Sequence, residues 1–405
     1  MPQNFQSTYA NFETKVRFSW YSKEPFFVKM YSYTLTQYTS SVYAELIVII
    51  DEKKFKEFKN IDKFSIPQRN IQVWFEPELK HKKLNRNFPS GPFNYCVVQY
   101  EIMNTPVTEH DLIYSNYNSA KVVRLMCVDL AFYKMTQNDR MESYGKVEIS
   151  KIINKIVSRN GGKMKLNVNT DYPFYWLQTQ MTDYEMIRSL LPYARSGSKE
   201  LNYVFFLYNN EAYFSPIGYN RKAPIRIKAD TVKSWFDQYE SSDLKLLIEK
   251  FGDKNQMYST HHGFENFENV KPTKMGMEAY SSNNKNQRKQ HAGETNTIFV
   301  NTGIEDKTLQ EIYVSNLRQR IHTFSRLLSF KSDPIPGITP AHCLEIISET
   351  GKGEVKELDG IYYVMSITYE FGMTNTYPFA PVMQLHLCTE TDSVGKESPE
   401  GKPIA

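Results

Sequence analysis

Histidine is the side chain that most often does chemistry near neutral pH, as a proton carrier or a metal ligand. The chain has 8 histidines and one adjacent pair, His261-His262 in "YSTHHGFENFE". Neighbouring residues on a strand point to opposite faces, so this pair would not converge on one ion. His342 and Cys343 are also neighbours, but no second pair stands at ligand spacing, and a satisfied core role is expected for them. Gly351-Lys352-Gly353 lies between strand-like runs and reads more simply as a hairpin turn than as a phosphate cradle. H-E-x-x-H, G-x-x-x-x-G-K-[ST] and G-x-S-x-G are all missing from the sequence. Carboxylates are abundant, but sequence spacing alone singles out no acid–base pair of the kind glycosidases use. The expectation is a protein that is not an enzyme, with no catalytic, cofactor-binding or metal-binding residue.

What remains is architecture. A chain of 405 residues exceeds one compact core of usual size, so two to four domains are expected. Aromatic residues make up 14% of it, with 28 tyrosines, which favours strands. The net charge of +4 is small for this length and argues against a dedicated nucleic-acid binder. The densest basic run, "NKNQRKQH" at 284–291, is read as a solvated loop. The first twenty residues hold no apolar run of signal-peptide length, and "LIVII" at 46–50 is far too short to span a membrane. Cys96, Cys127, Cys343 and Cys388 are widely spaced and are expected to be buried free thiols.

The expected fold class is mainly β with α+β: two related tube-like β-barrels, a small α+β domain and a loop-rich insertion. The first barrel, residues 1–138, rests on "VRFSW", "FVKMYSYTLTQ", "VYAELIVII", "IQVWFE", "NYCVVQYEI" and "KVVRLMCVDLAFY", each read as a strand. The α+β domain, 139–222, begins with a helix in which Ile149, Ile152, Ile153, Ile156 and Val157 share one face, with Gly161 closing it. Its second helix starts at a capping box, Thr182 and Glu185, and carries Ile187, Leu190, Leu191 and Ala194 to an end near Pro192 or Ala194. A hairpin follows around Asn209-Asn210-Glu211. In the second barrel, 223–390, "IRIKADTVKSWF" is read as a strand running into a turn or helix. Residues 309–330 are read there as one helix carrying Leu309, Ile312, Leu317, Ile321, Phe324 and Leu328. "HCLEIISE", "IYYVMSITYEF" and "VMQLHLCTE" are strands. The segment 276–297, poor in large apolar residues, is expected to be an exposed mobile loop, and 391–405 a disordered tail.

The order of four stretches, "SYTLTQYTSSVYAELIVII", "VRLMCVDLAFYKM", "WLQTQMTDYEMIRSLLPYA" with "YVFFLYNNEAYFSP", and the block "NLRQRIHTF"…"GITPAHCLEII"…"IYYVMSITYEF"…"YPFAPVMQLHLCTE", resembles the baseplate central hub of contractile-tailed (T-even-type) phages. More distantly it is similar to the late control protein D family and the N-terminal part of type VI secretion spike proteins. One departure is at the corner, where Pro340 is followed by Ala341 and not by Gly; the positive-φ turn is expected to be looser or shifted to Pro336-Gly337. The resemblance implies a structural role as a homotrimer. Six similar barrels would form a pseudo-sixfold ring that adapts a sixfold tail tube to a threefold central spike, with the α+β domain packed outside it. It implies the tube, spike and other baseplate proteins as partners, no membrane binding by the chain itself, and DNA only as passing cargo. The implied location is the virion baseplate, after assembly in the host cytoplasm. The alternatives are a tail-tip hub with cell-wall hydrolase activity and a host-surface-binding tail protein.

Overall fold

The computed structural model describes residues 12–18, 26–38, 42–51, 69–77, 92–103, 120–197, 202–208, 210–228, 232–239, 256–260, 273–274, 297–301, 306, 308–313, 315–316, 326–332, 335, 337–347, 359–373 and 378–389. His261-His262, the 284–291 run, Gly351–Gly353 and the tail 391–405 lie outside the described residues, as does all of 276–297 except Thr297.

The chain is mostly β. Strands β1 (Phe12–Phe18), β2 (Phe26–Tyr38), β3 (Val42–Asp51), β4 (Arg69–Pro77), β5 (Phe93–Met103) and β6 (Ala120–Asp129) are joined in the order β1-β4-β5-β6-β3-β2. Because β1 also pairs with β2, the pairings run in a closed circuit. Alternation decides the two sides of this wall. Leu46, Val73, Phe93, Tyr95, Val97, Val123, Leu125 and Cys127 are buried, while Arg124 and Met126 between them are not.

A second set follows a related order. It comprises β12 (Ile225–Lys228), β13 (Val232–Tyr239), β17 (Arg326–Ser332), β18 (Cys343–Ile347), β19 (Gly360–Met373) and β20 (Pro378–Thr389), in the order β12-β18-β19-β20-β17-β13. No strand pairing closes it among the described residues, and its β12–β18 pair is parallel where every pair of the first set is antiparallel. The two sets meet at one seam. On one edge β2 pairs first with β1 and then, from Ser32 to Tyr38, with β19; β19 pairs first with β18 and then, from Ser366 to Gly372, with β2. The side chains of both sets form one apolar cluster that includes Leu46, Tyr95, Phe330, Tyr362, Ile367 and Leu385.

Between the sets in sequence lies the α+β unit. It holds a ribbon of β7 (Asp139–Val147) and β9 (Phe174–Thr182), a sheet of β8 (Lys163–Asn167), β10 (Tyr203–Tyr208) and β11 (Glu211–Pro216), and helices Ile149–Arg159 and Asp183–Leu190. All five predicted apolar residues of the first helix are buried. It ends as a Schellman turn: the Gly162 amide donates to the Val157 carbonyl (3.0 Å), the Gly161 amide donates to Ser158 (3.1 Å), and Gly161 takes φ 80°. The second helix has its capping box, with the Glu185 amide donating to the Thr182 hydroxyl (3.2 Å) and the Thr182 amide to the Glu185 carboxylate (2.8 Å). It runs into a short turn of 3-10 helix at Leu191–Tyr193. The hairpin pairs Tyr208 with Glu211 across Asn209-Asn210. A small third sheet, β14 (Gln256–Thr260), β15 (Thr273–Lys274) and β16 (Thr297–Asn301), completes the described strands.

Four expectations need correction. The strand read over 121–133 stops at Asp129, whose carboxylate accepts the amides of Ala131 (2.9 Å) and Phe132 (3.3 Å) and so starts a helix at Leu130–Met135. The helix read over 309–330 is helical at 308–313 and 315–316, but Leu328 lies on β17; Leu328 and Phe330 point into the barrel, and β13 and β20 pair on either side. Cross-strand pairing there overrides helical spacing. The second half of 225–236 is strand β13, held by β17. The corner after Pro340 keeps its turn in place: Ala341 itself takes φ 71°, as does Gly337 with φ 70°. The fully buried Ala341 methyl clusters with Val204 and Phe206, so a side chain occupies a site where glycine would leave a gap.

Candidate interaction surfaces

The most heavily bonded polar group of the α+β unit is Arg159, at the end of its first helix. Its guanidinium donates to both carboxylate oxygens of Asp183 (Nε to Oδ2 2.8 Å), to Glu142 on β7, to the Tyr144 hydroxyl (3.1 Å) and to the Gln178 side-chain carbonyl (3.1 Å). Asp183 is 2% exposed and also accepts from Asn160 (2.7 Å) and Gln178 (3.1 Å). A buried carboxylate survives only with such company. Burial alone would raise both carboxyl pKa values, but the hydrogen bonds win: Asp183 is held below its ordinary value and Glu142, which also meets Lys155, is held at about 2. This knot fixes one face of the β7–β9 ribbon to both helices. Sequence reading found Asp183 only as a helix-start charge and missed Arg159, Glu142 and Gln178, which come from three separate elements.

The other face of the ribbon is bare. Cross-strand pairs Met141–Thr179, Ser143–Leu177 and Lys146–Tyr175 point outward, and Met141 (76%), Tyr175 (68%) and Leu177 (60%) are the most exposed large apolar side chains among the described residues. The signal was present in the alternation of "YWLQT", where Trp176 and Gln178 turn inward and the residues between them turn out.

His342 sits at the corner between the α+β unit and the second barrel. Its Nδ1 meets the Thr339 amide (2.9 Å), hydroxyl (2.7 Å) and carbonyl oxygen (3.0 Å), and its Nε2 shares a hydrogen bond with the Tyr219 hydroxyl (2.7 Å). Burial pushes its pKa down, favouring the neutral imidazole. Beside it, the Asn220 side chain bonds both backbone groups of Cys343: the amide donates to Oδ1 (2.6 Å) and Nδ2 donates to the carbonyl (3.2 Å). Both residues predicted to have core roles are thus structurally engaged. All four cysteines are buried. On the outer wall of the first barrel, Arg124 bridges Glu45 (2.9 Å) and Glu101 (3.6 Å) across three adjacent strands. No group of three or more metal-ligating side chains occurs among the described residues.

No protein-family description matches this sequence, and no curated protein is significantly similar to it. Solved structures do match in three dimensions. One is a 43 kDa tail protein of prophage MuSo2 from Shewanella oneidensis, with TM-score 0.55 and 10% identity, covering 93% of this chain and 98% of that one. Another is a tail protein from Neisseria meningitidis MC58, with TM-score 0.55 and 7% identity, covering 95% and 98%. The fold is that of these tail proteins. At such identity the likeness concerns backbone architecture alone, and it extends over nearly the whole length of each chain.

Proposed function

We propose that this chain is a structural component of a phage tail or related contractile injection machine, and within it the baseplate hub. Three copies would close a ring of six barrels that joins a sixfold tail tube to a threefold central spike. The observation that carries this reading is the presence of two six-strand sets in one large sheet, joined at a seam at which β2 and β19 divide their edges in the same way. A chain with two like barrels matches threefold symmetry in copies and sixfold symmetry in barrels. The likeness of fold to tail proteins supports the same reading, as does the order of motifs along the sequence. In this role the α+β unit packs outside the ring, the partners are tube, spike and neighbouring baseplate proteins, DNA only passes through, and the chain performs no catalysis.

Native mass spectrometry of the purified chain, alone and with a candidate spike protein, tests the proposal. A three-copy species in either sample is expected; a stable dimer in both would overturn the ring.

A further inference from the structure

We propose that the bare face and open edges of the β7–β9 ribbon receive an extended segment of a different polypeptide. This segment would add as a third strand, apolar at alternate positions and acidic where it meets Lys146. Met141, Tyr175 and Leu177 together expose an area on the order of 400 Å², within the range of the largest patches that monomers show and commonly use. A stable pair of folded proteins needs about 800 Å² from each side, so this patch alone would not hold a second copy of the chain. An added strand needs less apolar area because the backbone contributes. The ribbon offers that backbone: it is a two-stranded sheet with no other strand beside it among the described residues.

Charge narrows the occupant further. Around the ribbon the cations are paired: Arg159 and Lys155 with Glu142, Arg140 with Asp183 (3.5 Å), and Lys151 with Glu148 (2.8 Å). Lys146 is exposed, stands opposite Tyr175 on the bare face, and forms no ion pair among the described residues. A carboxylate on the incoming segment would complete it. The opposite face is tied down through Trp176, Gln178 and Glu142, so the ribbon is already shaped before anything binds, which lowers the ordering cost.

The probe is a fluorescent synthetic peptide as long as β9, 9 residues, alternating valine and threonine with one glutamate. Two companions are a scrambled peptide of the same composition and a version N-methylated on alternate amides. The full-length chain is expected to bind the alternating peptide saturably and the other two at least about tenfold more weakly. Leu177→Ser and Tyr175→Ser should each weaken binding by about tenfold without changing the melting temperature, since both side chains are exposed. Lys146→Glu should weaken the glutamate peptide and restore binding to one carrying lysine instead. Equal binding of scrambled and alternating peptides, or no saturable binding at all, would overturn the proposal. So would self-association of the chain that Leu177→Ser abolishes, because the face would then belong to a second copy.

Discussion

At Gly218 the backbone takes φ 72°, and a Cβ built there would lie 2.4 Å from the Tyr363 ring, which is itself buried. Its amide donates to the Ala341 carbonyl (2.8 Å), and the Ala341 amide donates to Val364 (2.8 Å), so this residue joins the α+β unit to the second barrel. Gly218→Ala is expected to lower stability by about 2–4 kcal/mol, from a left-handed non-glycine residue and an overfilled site, as measured by denaturant unfolding. Glu142 gives a prediction in pH. Its folded pKa, about 2, lies below the ordinary 4.5, so its contribution is complete above about 4.5 and is lost as pH falls toward about 2. Asp183 is shifted in the same direction and adds to the effect. Wild-type stability should therefore fall steeply across that window, and Glu142→Gln should be less stable near neutrality with a shallower fall. Identical pH slopes would show that the knot is not what acid breaks. The thiols have a simpler logic. Cys343 and Cys388 both sit opposite Tyr363, on the strands flanking β19, so they are separated by two strand spacings, about 9.6 Å, beyond disulfide reach.

Among the elements, the helix Asp183–Leu190 shows how local rules and packing agree. Its cap is made by Thr182 and Glu185, and Met186, Ile187 and Leu190 are buried at 0–1% exposure in one apolar core with residues of the first helix and of the β8–β11–β10 sheet. Leu190→Ala should cost about 2–5 kcal/mol, read as a fall in unfolding midpoint; a midpoint unchanged within error would show that the stripe is not a core contact. Both helices of this unit were legible in the sequence because caps and apolar stripes act over a few residues. The same holds for the hairpin that pairs Tyr208 with Glu211, whose short connection acts locally. Strand Arg326–Ser332 was not legible, since "RLLSF" fits either period and only its neighbours β13 and β20 decide. The Asp129 stop was missed for a related reason: a single carboxylate ends β6, starts a helix, and also accepts the amide of Asn210 (2.9 Å) from a distant hairpin. The Arg159 knot depends on four elements meeting, and no spacing along the chain encodes that meeting. The bare ribbon face was half legible: alternation marked Tyr175 and Leu177 as outward, but Met141 joins them only through the register of β7 with β9.

For the whole molecule, the arrangement of strands bears most of the functional weight. Two six-strand sets are joined by the β2–β19 pairing and contribute to one apolar cluster. Leu309 and Ile312, from the second half of the sequence, pack into the core of the α+β unit, and Asn316 ties its end by donating to the carbonyls of Pro192 (2.8 Å) and Ala194 (3.1 Å). The proposed cyclic trimer would use one heterologous contact, first barrel to the next chain's second barrel, repeated until it closes. The most direct test is a reconstruction of the assembled particle without imposed symmetry, with this chain located in it. The account predicts one ring of three copies whose six barrels stand around the axis at near-equal angles; a ring of six copies, or three copies with only one barrel each on the ring, would contradict it.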